Sequence, residues 1–123
     1  EPYPSNVARR SPALIVRCEA GKVELYLNAR THLAGPGDDL HSHRFRVRID
    51  GEKPESLVGG KATSSDAVFF PNASRYVERL RYAKELMIEV TPYQFAPSVS
   101  TFLVGGLDQH KTEMDRHCRA KAR

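Results

Sequence analysis

No stretch of this 123-residue chain approaches 18 consecutive apolar residues; the longest apolar runs are 13–16 and 67–70. A membrane-spanning helix is therefore not expected. The chain also lacks the basic and then apolar opening of a signal peptide. It begins Glu1-Pro2-Tyr3-Pro4 without Met, as expected of a processed, exported protein and equally of a trimmed chain. No Gly-x-Ser-x-Gly elbow presents a nucleophilic serine. Neither Gly59-Gly60-Lys61 nor Gly105-Gly106 reads as a strand–loop–helix ending in Lys-Ser/Thr, so no phosphate loop is expected. The carboxylate pairs Asp38-Asp39 and Glu52/Glu55 fall in turn contexts, where acids are common without catalysis. These absences leave neither a catalytic centre nor a cofactor motif, and the chain reads as non-enzymatic.

Cysteine is scarce, with Cys18 near one end and Cys118 near the other. An even count admits one intramolecular bridge. In the chain-entropy model a loop of this size removes on the order of 4–5 kcal/mol of unfolded-state freedom. A bridge implies an oxidising compartment, periplasmic or extracellular. Two buried free thiols in a reducing compartment are the alternative.

What is present fits one globular domain: 40% apolar and 28% charged residues, with a net charge of +4. Much of the excess sits at the ends, at Arg9, Arg10, Lys111, Arg116, Arg119, Lys121 and Arg123. A basic tail can hold an acidic surface or simply be solvated. No aromatics interleave with these charges, which argues against a nucleic-acid groove.

Residues 1–12, with Pro2, Pro4 and Pro12, read as an extended arm. The domain is expected over 13–120. Its first strand covers 13–18, and Ala20-Gly21 turns it into 22–28. There Val23, Leu25 and Leu27 alternate with Lys22, Glu24 and Tyr26. The stretch 29–43, with Gly35-Pro36-Gly37 at its middle, reads as an exposed loop. Phe45, Val47 and Ile49 alternate with Arg44, Arg46 and Arg48 in a third strand, and Asp50-Gly51 signals a turn. A weak strand follows at 55–59, broken by Gly59-Gly60, and extended structure resumes at 67–70. Pro71-Asn72-Ala73-Ser74 opens a short helix capped by Asn72 or Ser74, with Tyr76, Val77, Leu80 and Ala83 along one stripe. The stretch 85–108 organises the rest: strands 86–91 and 98–104 join through a Pro-bounded turn. It runs out through Gly105-Gly106 into a C-terminal helix with Leu107, Met114 and Cys118 on one stripe. The fold expected is mostly β: an antiparallel β-sandwich of about seven strands with one short inserted helix and a C-terminal helix.

Among candidate sites, His41 and His43 stand at i and i+2, which would place both rings on one side of a strand as weak metal ligands. A polar loop that happens to hold histidines is the plainer reading, and no metal is expected. Arg44, Arg46 and Arg48 form an anion-reading stripe or a solvated face balanced by a cross-strand acid such as Glu24. Tyr93 and Phe95, at a hairpin tip between Pro92 and Pro97, offer a contact surface.

Five ordered segments resemble the VasI/TagO family of type VI secretion-associated accessory proteins. They are Leu14-Ile15-Val16-Arg17-Cys18 with Gly21-Lys22-Val23-Glu24-Leu25-Tyr26; Arg46-Val47-Arg48-Ile49-Asp50-Gly51; Ser64-Ser65-Asp66 leading to Phe69 and Pro71; 85–93, ending Val90-Thr91-Pro92-Tyr93; and Thr101-Phe102 followed by Gly106-Leu107-Asp108 and Cys118. The resemblance implies an exported, β-rich envelope domain without catalytic residues. The function expected is an accessory or adaptor protein of a bacterial envelope or secretion assembly, acting by protein–protein contact. The alternative is a virion structural component, a phage decoration or tail-associated protein whose terminal arms contact neighbouring subunits. Either way the partner is a protein, with the oligomeric state left open.

Overall fold

The computed structural model describes residues 11–35, 37–93, 95–107 and 109. Strand β1 (Ala13–Glu19) turns through Ala20 and Gly21, both at positive φ, into β2 (Lys22–Asn28). Two successive positive φ values match the right-handed twist of a tight hairpin, which holds Leu14 opposite Leu27 and Val16 opposite Leu25. The chain then runs through β3 (Ser42–Ile49), β4 (Glu55–Gly60), β5 (Ala67–Phe69), helix α1 (Ala73–Leu80), β6 (Glu85–Val90) and β7 (Ser98–Leu103). The described fold is mostly β: a three-stranded sheet in the order β1-β2-β5 and a four-stranded sheet in the order β4-β3-β6-β7, antiparallel throughout.

Alternation decides which side chains go inside. Leu25 and Leu27 from one sheet share a core with Phe45, Val47, Ile49, Leu86, Ile88 and Val90 from the other. Helix α1 adds Tyr76, Val77 and Leu80, with Ala83 just beyond it, as its apolar stripe predicts. Of the two expected caps, Asn72 is the N-cap; it sits in the left-handed region, and its side chain makes no capping bond. Tyr76 Oη donates to Glu55 Oε1 at 2.7 Å, and Arg79 pairs with Glu55 Oε2 at 2.8 Å, which ties α1 to β4.

Two expectations are refined. β4 keeps both glycines and ends at Gly60, one residue beyond the end expected at 59. Gly59 is where the two sheets touch: a Cβ there would lie 1.9 Å from the Phe69 carbonyl oxygen and 3.0 Å from the Phe45 ring. Beside it an isolated bridge pairs Lys61 with Val68. The stretch 29–43 is not simply an exposed loop. Leu33 is fully buried, and the Ala29 and Leu33 amides donate to the carbonyls of Asp66 and Ser65. A loop that lays an apolar residue into the core must satisfy its backbone polar groups on the way, and these bonds do so. Most of the arm expected over 1–12, the expected C-terminal helix beyond Leu107 and Gln109, and Cys118 lie outside the described residues.

Candidate functional site

The 29–41 loop meets the β6–β7 hairpin at the residues after β6. Ala34 N–H donates to the Thr91 carbonyl at 3.0 Å and Tyr93 N–H to the His32 carbonyl at 2.7 Å, with Leu33 bridged to Pro92. The His32 ring stands edge-on to Tyr93, with centroids 5.5 Å apart. The tip is therefore held from one side by backbone bonds. Its two aromatics point outward: Tyr93 is 52% and Phe95 71% exposed. On β7 two further apolar side chains are exposed, Val99 and Leu103, the latter at 84%.

His43 anchors this junction from below. It extends the inward period of Phe45, Val47 and Ile49 by one step and is completely buried. Its Nδ1 lies 2.5 Å from Asp38 Oδ2, and its Nε2 accepts the Thr91 N–H at 3.3 Å. An amide at Nε2 leaves the ring proton on Nδ1, where it is donated to the carboxylate. Asp38 also accepts the Gly35 amide on Oδ2 and the Arg44 amide on Oδ1. Burial opposes its charge, but the Gly35 and Arg44 amides and the His43 ring outweigh it and hold the carboxyl below its ordinary value.

An Asp–His pair is the orienting half of a nucleophilic triad. Here Nε2 faces a backbone amide instead of a hydroxyl or thiol, and the ring does not reach solvent. The pair clamps the loop to the start of the tip. Nor does the structure bring His41 and His43 together as metal ligands. Asp39 Oδ1 accepts the His41 amide and the Ser42 hydroxyl, so the chain turns before β3 begins and His41 stays exposed while His43 turns inward. Among the described residues no three His, Cys, Asp or Glu side chains gather as metal ligands would.

Arg44, Arg46 and Arg48 project from the outer face of the four-stranded sheet, as expected. The acid that faces them is not Glu24, which pairs with Arg17 at 2.6 Å across the β1–β2 hairpin. It is Glu89 on β6, in register with Arg46 and 3.7 Å from it. Arg48 folds onto the turn after β3, donating to the carbonyls of Gly51 and Glu52. Arg44 makes no ion pair among the described residues. The role of Asp38 was the part that sequence reasoning missed. Its signal was its place after Gly35-Pro36-Gly37, where an Asp commonly accepts nearby amides.

No helix among the described residues is long and apolar enough to cross a membrane. Comparison of the chain with family models, curated proteins and solved structures gives no match. The likeness to the VasI/TagO family therefore stands on the segments quoted above.

Proposed function

We propose that the protein is a non-enzymatic accessory or adaptor of a bacterial envelope or secretion assembly, acting by protein contact through the β6–β7 hairpin. The observation that carries this reading is the exposure of Tyr93, Phe95, Val99 and Leu103 along one hairpin. Apolar residues scattered singly need no explanation, but a run of them on one element marks a contact surface. The clamp beneath supports it: Asp38 and His43 hold Thr91, so the tip is offered preorganised, and less ordering entropy opposes binding. In this reading the two sheets pack as a β-sandwich with a C-terminal helix, as in VasI/TagO-like proteins. Cys18 and Cys118 form the bridge of a periplasmic or extracellular protein. A photo-activatable side chain at Phe95 tests the contact directly: an adduct with one discrete protein supports the reading, and its absence overturns it.

A further inference from the structure

We propose that the outer face of the four-stranded sheet takes up an acidic segment of a partner protein, its carboxylates read by Arg44 and Arg46 between two aliphatic banks. This rests on the contact reading above and names the partner's chemistry. The strand register builds the face row by row. Val58 stands beside Arg44; in the next row Ser56, Arg46, Glu89 and Val99 follow one another across all four strands. Val58, about half exposed, and the exposed Pro97 form the two banks. Between Val58 and Pro97 runs a shallow groove of about 340 Å³, lined also by Arg44, Arg46, Ser56, Glu89 and Thr91.

Charge decides the occupant. Arg17 is matched by Glu24 and Arg79 by Glu55, and Arg48 is held by carbonyls. Arg44 has no acid partner among the described residues, and Arg46 reaches Glu89 at 3.7 Å with its side chain 57% exposed. An exposed pair at that distance contributes little, so an incoming carboxylate can displace Glu89 at small cost. Alternate residues on one strand face stand roughly 7 Å apart, the spacing at which an extended partner presents its own alternate side chains. Two guanidinium forks at that spacing suit two carboxylates. The banks are aliphatic, and no aromatic stands in these rows to stack a base, which favours an acidic protein over a nucleic acid.

The test is fluorescence anisotropy of a labelled hexapeptide of alternating valine and glutamate against the full chain. Saturable binding is expected, weakened by salt, and at least about tenfold weaker in R44E/R46E. R44Q should weaken it several-fold, and K22E, at the turn of the other sheet, should leave it unchanged. Melting curves confirm that each variant folds, and R44Q alone decides if R44E/R46E does not. Any of four results overturns the proposal: no saturable binding, equal loss in K22E, equal binding of the valine–lysine peptide, or equally tight binding of inorganic polyphosphate. Loss of peptide binding while the Phe95 adduct persists sinks this inference and leaves the contact reading standing. Peptide binding without an adduct does the reverse.

Discussion

Asp38 commits both carboxylate oxygens within the fold: Oδ2 to the Gly35 amide and the His43 ring, Oδ1 to the Arg44 amide. Its carboxyl is held below its ordinary value, so the stability it contributes is complete above the usual carboxylate range. That stability is lost as the pH falls through the lower folded-state value. Asp39 and Glu55 are shifted the same way, Asp39 by the His41 amide first and Glu55 by Arg79 first, so the protein should lose stability progressively in acid. Asp38→Asn is expected to cost about 1–3 kcal/mol at neutral pH and to make the acid limb shallower. Melting temperature measured against pH checks this; an unchanged acid limb would mean that Asp38 carries none of the dependence. At this scale part of the site was legible. The inward place of His43 follows from extending the Phe45, Val47, Ile49 alternation one period, which the reading of His41 and His43 as ring neighbours passed over. Its partners Asp38 and Thr91 lie 5 and 48 residues away. The second distance is set by sheet pairing, which no local pattern encodes.

Elements were more legible than contacts. Hairpin β1–β2 follows from strict alternation around Ala20-Gly21, and β6 and β7 lie within a residue of the boundaries read from the sequence. β4 agrees as closely, but its two glycines read as a weak end because glycine is poor in strands by propensity, and propensity is silent on a neighbouring sheet. Gly59 is in a strand because nothing larger fits there. Gly59→Ala should therefore destabilise by about 3 kcal/mol or more, since backbone and not a yielding side chain lies in the way. Gly105→Ala, with nothing within 4 Å of its Cβ position, should stay within about 0.5 kcal/mol of the parent. Urea unfolding of the two variants decides it; equal stabilities would contradict the close approach of β4 to β5.

For the molecule as a whole, the proposed role needs an oxidising compartment and a surface that binds. The first requirement is checked by intact mass after alkylation. Cys18 and Cys118 should take up label once reduced and not before; labelling without reduction would remove the exported reading. The second was read at Tyr93 and Phe95 from the bounding prolines. The exposure of Val99 and Leu103 is not legible in the sequence, because either face of an amphipathic strand can be the buried one until its pairing is known. The central claim is that this hairpin meets another protein. The most direct measurement places a photo-activatable side chain at Phe95, with a second variant carrying it at Ser64 as a control, in cells that make the protein. An adduct of one discrete mass with a different protein is expected from Phe95 and none from Ser64. Adducts from both positions, adducts between copies of this chain alone, or none from Phe95 would contradict that claim.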